Sequence, residues 1–216
     1  LIIANKKLDI EGVILEGVRS DYYIAYASYQ SFDKARIKMI KMVENFDPKK
    51  YTPKNLIKTH WDENIGWWDS DFELLYQYFK FNARKPYTPV MKDKKIASNT
   101  INHFLIHIDE VCTVFTQFFP NGMSDYDPYF FMIDTDYEDF IIELFSELPT
   151  SPFFFKTKNK LFIIVQLERT SVREQGIEIH DISQVWIPSL FEKLQEKGII
   201  KSEKHAIFEC HWNKRL

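Results

Sequence analysis

Cysteine is nearly absent from this chain, with two, Cys112 and Cys210, in 216 residues. Two thiols cannot make the disulfide framework of a small secreted scaffold, so a reduced, cytoplasmic setting is expected. Glycine is scarce as well, and six in the whole chain point to compact elements with few flexible tails. No Walker loop, G-x-G-x-x-G, H-E-x-x-H or G-x-S-x-G occurs. The acids are scattered without a nameable catalytic pair, so no enzymatic activity, cofactor or metal is expected. No apolar run approaches the roughly twenty residues of a membrane helix, and no basic-then-apolar leader opens the chain. The chain opens on Leu rather than Met, from which an upstream segment is expected. A positive excess is missing too. The formal net charge is −3, whereas a dedicated nucleic-acid binder is basic overall or carries a basic patch.

Aromatic residues, by contrast, are abundant. Nineteen Phe and eleven Tyr are enough for dense cores built from rings, and 216 residues suffice for two or three small domains. The organising stretch is 69–112. Ser70 followed by Glu73 reads as a capping box, and Phe72, Leu75, Tyr76 and Phe79 form an apolar helical stripe ending at Asn82. Thr88-Pro89 announces a short second helix to Lys94, Thr as its cap and Pro at its first position. A third helix begins at Ala97 or Ser98, with Ile101, Leu105 and Ile108 inward and Asn99, Asn102, His103 and His107 outward. Amide and imidazole side chains there can hydrogen-bond to base edges in a major groove. The plain alternative is a trihelical packing unit.

These residues resemble the leucine-responsive (feast/famine) transcriptional regulators of bacteria and archaea. That family's pattern is an Asp, a leucine pair, N-A-R, a second helix, then G-I-S-x-x-T-V-x-x-R. The chain has Asp71, Leu74-Leu75, Asn82-Ala83-Arg84 and Ile96-Ala97-Ser98-Asn99-Thr100-Ile101. It departs at Lys95, where the turn normally has Gly, and at Phe104, where an Arg usually lies near the DNA backbone. The resemblance implies DNA binding as a dimer, and a following βαββαβ domain that dimerises and takes a small-molecule effector.

The flanking parts read as α+β. Residues 1–68 form an N-terminal unit with strands over Ile10–Val18 and Tyr22–Tyr29, a Ser31-capped helix Phe32–Phe46, and a strand over Asn55–Trp61. Trp61, Trp67 and Trp68 are expected to pack that unit against the helices. In residues 113–216, a connecting strand Val114–Phe119 precedes strand Tyr129–Asp134, helix Tyr137–Leu148, and strands Phe153–Thr157 and Leu161–Leu167. A polar loop Arg169–Ser183, helix Ile187–Lys197 ended by Gly198, and strand His205–Trp212 follow. The order is βαββαβ, the ferredoxin-like arrangement. The expected architecture is thus a central helix-turn-helix (69–112, winged-helix-like) flanked by ferredoxin-like units, the N-terminal one partial. Ser20-Asp21-Tyr22 echoes Ser124-Asp125-Tyr126 ahead of a second strand and helix, as a duplicated regulator or a chance similarity would give.

Each functional residue has a plainer reading beside it. Arg84, Ser98, Asn99, Thr100, Asn102 and His103 are the candidate DNA contacts, Arg84 and Ser98 to phosphate, Asn99, Asn102 and His103 to bases. Arg84, Lys85, Lys92, Lys94 and Lys95 supply the local positive charge. His103, His107 and Cys112 could instead hold zinc, but read first as exposed polar groups. His205, Cys210 and His211 fit a metal less well, since neighbours on a strand face opposite ways. Phe153-Phe154-Phe155 with Phe162 could stack RNA bases, though such rings more often meet a core or a second copy of the sheet. The expected partners are double-stranded DNA, a second copy of the chain and a small-molecule effector, with no membrane. The other functional reading is a metabolite-sensing or interaction protein whose helix-turn-helix no longer binds DNA.

Overall fold

The structure, a computed structural model, describes residues 9–28, 30–59, 66, 68–168, 171–174, 177–180 and 186–207. Near the N-terminus the apolar run Ile10–Val18 does not form the expected strand. Its apolar residues do not alternate with polar ones, Gly12 takes a left-handed φ of 73°, and Ile10, Val13, Ile14 and Val18 stay exposed. Gly17 is required by a close approach. A Cβ there would come within 2.6 Å of Thr157 Cγ2, beside the antiparallel bridge between Arg19 and Thr157. The second expected strand shrinks to β1 (Tyr23–Ile24). Helix α1 (Phe32–Asn45) follows the sequence reading. The Ser31 hydroxyl accepts from the Lys34 N–H at 3.4 Å, and Ala35, Met39 and Val43, four apart, are buried.

Three helices come next, α2 (Ser70–Phe79), α3 (Thr88–Lys94) and α4 (Ser98–His107). The chain continues through β2 (Tyr126–Asp134), α5 (Glu138–Phe145), β3 (Phe153–Thr157) and β4 (Lys160–Glu168). It ends in β5 (Ser171–Glu174), β6 (Ile177–His180), α6 (Trp186–Glu196) and β7 (Ser202–Ile207). Two further expected strands are not found among the described residues. Residues 55–59 and 114–119 contain none, for β-prone side chains alone do not make a strand without a paired neighbour. The rest of the Asn55–Trp61 expectation lies outside the described residues, as do Trp61, Trp67 and the end of the His205–Trp212 strand. The polar loop expected over Arg169–Ser183 contains the antiparallel pair β5–β6.

Five strands form one antiparallel sheet in the order β1-β3-β4-β2-β7. Strands β2 and β4 pair along their length, from Tyr126 opposite Glu168 to Asp134 opposite Lys160. Strands β3 and β4 turn back through Lys158-Asn159, with Lys158 at the positive φ of 55° that a tight hairpin favours. Since β4 lies between β2 and β3, those two run parallel and are joined through α5. By the same logic β4 and β7 flank β2, run parallel and are joined through α6. Alternation decides the faces. Tyr129, Phe131 and Ile133 of β2, with Leu161, Ile163, Val165 and Leu167 of β4, share a core with buried residues of α1, α5 and α6. On the opposite face Phe130 stacks on Phe162 at 5.5 Å and Phe162 on Phe155 at 4.8 Å. Helix α6 ends in a left-handed Gly198 (φ 66°), and the Gly198 and Ile199 N–H groups donate back to Gln195 and Leu194.

Residues up to Thr59 and from Gln117 onward make one compact unit, and His60–Thr116 make a second. The N-terminal residues are therefore not the separate 1–68 unit that their order suggests. Strand β1 is hydrogen-bonded to β3, the Ser20 N–H donates to the Lys156 carbonyl at 2.8 Å, and the Ala25 N–H to Pro152 at 3.1 Å. Buried Asp139 of α5 adds a staple, its carboxylate accepting from the backbone N–H groups of Lys54 (2.6 Å), Asn55 (3.0 Å) and Leu56 (3.0 Å). The protein is α+β, with six α-helices among the described residues. No helix among those residues is long and apolar enough to cross a membrane.

Candidate nucleic-acid interface

The helical unit is built on α2. Its cap is Asp69, one residue before the expected Ser70, and Asp69 Oδ1 accepts from the Asp71 and Phe72 N–H groups, both at 2.9 Å. The carboxylate satisfies two end groups and, unlike a hydroxyl, sets negative charge at the positive end of the helix. Glu73, expected as the return half of a capping box, accepts instead from Trp68 Nε1 (3.2 Å) and Gln77 Nε2 (2.6 Å). Thr88 is likewise the first residue of α3 rather than its cap. Tyr87 stands at that position without a side-chain cap bond, and Pro89 falls in the first turn.

Three residues link α3 to α4. Lys95 takes φ 55°, ψ 31°, the left-handed geometry that a glycine adopts without cost, so the turn keeps its shape without the glycine. Ile96 then drops into the core beside Phe72, Leu75, Phe79, Val90, Ile101 and Phe104. Relieving the left-handed side chain with Lys95→Gly is expected to stabilise this unit by up to about 1 kcal/mol. Thermal unfolding followed by far-UV circular dichroism will register this as a higher midpoint; an unchanged or lower one contradicts it.

Phe104 sets the orientation of α4. It is fully buried, stacks on Phe79 at 6.1 Å, and lies 5.6 Å from Phe72 and 6.3 Å from Trp68. Its ring pulls the buried side towards the line Ile101–Phe104, so Leu105, expected inward, is 41% exposed and Ile108 is only half-buried. The opposite side of α4 carries Ser98, Asn99, Asn102 and His103, all exposed, whereas Thr100 is half-buried towards the core side. The His103 ring meets Phe72 edge-on at 5.5 Å and His107 at 4.4 Å, and His107 Nδ1 pairs with Glu110 Oε1 at 2.6 Å. Arg84 is exposed in the α2–α3 connection, where its backbone N–H donates to Asn82 Oδ1 at 2.9 Å. Four of the six candidate contacts thus share one solvent side of one helix. Sequence reasoning missed Ile106, 68% exposed on that same side, although a step of four from Asn102 would have placed it there.

Charge is laid out unevenly. From Lys80 to Lys95 there are six cations and one acid, Asp93, while the unit's other acids are Asp62 and Glu63, then Asp69, Asp71 and Glu73 at the start of α2, and Asp109 and Glu110 after α4. Lys85 is held locally, its Nζ donating to the Tyr78 carbonyl at 3.0 Å over that residue's ring. Arg84, Lys92, Lys94 and Lys95 are exposed. Helix α4 also has no side-chain cap, since Ala97 stands at that position, so the N–H groups of its first turn have no side-chain acceptor. Burial raises the pKa of the Cys112 thiol, and likewise of the Tyr76 phenol.

Other expected chemistry does not assemble. No cluster of three or more His, Cys, Asp or Glu among the described residues is placed to hold a metal. His205 is paired with Glu203 and lies beside Phe131, while Cys210 and His211 fall outside the described residues. Phe153, Phe154, Phe155 and Phe162 are all buried, so they offer neither a base-stacking platform nor an exposed face for a second sheet. The winged-helix expectation loses its wing, for no strand occurs among the described residues of this unit. No family model, curated protein or solved structure matches the chain.

Proposed function

We propose that this chain is a DNA-binding transcriptional regulator of the leucine-responsive type, a homodimer without catalytic activity whose occupancy of DNA responds to a small molecule. In this reading α2, α3 and α4 are a helix-turn-helix, α4 enters the major groove, and the sheet unit is a ferredoxin-like dimerisation and effector domain. The observation that carries it is the two-sided character of α4. Ile101 and Phe104 are sunk in the core, while Ser98, Asn99, Asn102 and His103 face solvent, preceded in the chain by Lys92 and Lys94 of α3 and Lys95 of the turn. A three-residue turn whose first residue, Lys95, is left-handed is the kind of connection such a motif uses. The interleaved β2-α5-β3 and β4-α6-β7 crossovers support the ferredoxin-like half of the reading. Asn99 and Asn102 suit adenine edges, His103 a base acceptor, and Arg84, with Ser98 at the uncapped helix start, suits phosphate.

The test is fluorescence anisotropy on mixed-sequence duplex DNA across a salt series. Affinity should fall steeply with salt, and Arg84→Ala should lower the slope of log K against log salt by about one. Asn99→Ala and Asn102→Ala should leave the slope alone and blunt discrimination between sequences. Absence of binding at low salt overturns the proposal.

One observation favours a second reading, an interaction or metabolite-sensing protein with a helix-turn-helix that no longer binds DNA. The helical unit, His60–Thr116, sets six bases (Lys80, Arg84, Lys85, Lys92, Lys94, Lys95) against eight acids (Asp62, Glu63, Asp69, Asp71, Glu73, Asp93, Asp109, Glu110). The same titration separates the two, since the second predicts no salt-dependent binding at all.

A further inference from the structure

We infer that Ile106 reads the 5-methyl group of a thymine in the major groove, a contact that rests on the DNA-binding reading and assigns it an A·T-containing site. Ile106 is 68% exposed, the most exposed apolar side chain of α4. It lies one turn beyond Asn102 and His103 and two beyond Asn99, along the same solvent side. Within α4 its setting is polar. The helix side preceding it is made of amides and an imidazole, and Leu105 is the one other apolar residue of α4 that is exposed. The exposed cations Arg84, Lys92, Lys94 and Lys95 suit a polyanion. On the major-groove edge of a duplex the apolar group is the thymine methyl, and the remaining edge atoms are donors and acceptors. A β-branched side chain on a helix is already fixed at χ1, so Ile106 presents its methyl groups with little ordering cost. Asn102, four residues earlier, is the side-chain type that bonds adenine N6 and N7, so an adenine and a thymine should occur near one another in the preferred site.

The experiment uses the full chain. A preferred duplex is selected from random sequence, and each thymine in turn is replaced by deoxyuridine, which removes the methyl group and nothing else. One replacement should weaken wild-type binding about fourfold, the effect of one methyl taken out of contact. Ile106→Ala should bind the thymine duplex more weakly by a similar factor and be indifferent to that replacement. Because Ile106 fills no core space, the variant keeps its fold, checked by circular dichroism. Wild type indifferent to every deoxyuridine, or Ile106→Ala retaining the wild-type sensitivity, overturns the inference while salt-dependent binding leaves the regulator reading intact. Absence of binding to any duplex overturns both.

Discussion

Asp139→Ala is expected to cost the sheet-containing unit about 3 kcal/mol or more. The carboxylate is buried in the first turn of α5 and accepts from three successive backbone N–H groups, those of Lys54, Asn55 and Leu56. Each donor left without an acceptor costs about 1–3 kcal/mol when water cannot reach it. The Lys54 and Asn55 side chains are exposed, so water recovers part of that loss and the low end of the range applies. Asn55 is also held at φ 53°, and without the carboxylate that strained backbone is released. Asp139→Asn keeps one acceptor oxygen but turns an amide donor towards N–H groups, so it should rescue less than half. Guanidinium unfolding will read the stability, and hydrogen exchange at residues 54–56 will read the cause. A wild-type midpoint with slow exchange there would show that the loop stands without Asp139. Tyr51 adds a dependence on alkali. Its pKa is raised chiefly by burial, with the nearby Asp139 and Glu138 carboxylates adding to the shift. A phenol whose folded pKa is raised stabilises the fold below the ordinary value of 10.0 and loses that contribution as pH climbs past it. Tyr51→Phe should remove this share of the alkaline loss.

Why such a residue could not be found in the sequence is a matter of range. Strand β3 has the bounds that its Phe-rich run predicts, and β2 and β4 differ from theirs by a few residues at most. Their pattern of alternation is local, as are the Ser31 cap of α1 and the Gly198 stop of α6. Asp139 reads locally as an ordinary acid in a first helical turn, and its partners lie more than eighty residues upstream. β1 is invisible for the same reason. Two residues of strand exist only because the edge of β3 is there to receive them. The missing strands at 10–18 and 114–119 are the converse, β-prone side chains that pair with no strand among the described residues. At the candidate interface the polar side chains were legible from helical spacing, because Asn102 and His103 stand three and four residues after Asn99. Which apolar residues oppose them was not, since that depends on the bulk of Phe104 and on the rings it meets across the unit.

Phe104→Ala should therefore unfold the helical unit and leave the sheet standing. Removing a buried Phe costs about 3–5 kcal/mol. A unit spanning His60–Thr116 has, at about 0.05–0.15 kcal/mol per residue, roughly 3–9 kcal/mol in all. The loss takes most of that, and the rings of Phe72, Phe79 and Trp68 lose their common neighbour together. Phe104→Leu, which fills much of the space, should be milder. Phe104→Arg should be worse than Ala if the guanidinium is held inside, where no acid partner waits in the core of Phe72, Leu75, Phe79, Val90, Ile96 and Ile101. That ring also bears on function. Where the resembling regulators place an arginine near the DNA backbone, this helix turns its side chain inward, so on the proposed reading phosphate contact falls to Arg84, Ser98, Lys92, Lys94 and Lys95. The expected readout is partial loss of helical dichroism, rapid proteolysis confined to residues 68–116, amide protection retained in β2 and β4, and no DNA binding. Should Phe104→Ala keep its helical signal and bind DNA like wild type, the ring is not what orients α4, and the outward face built on that orientation loses its support.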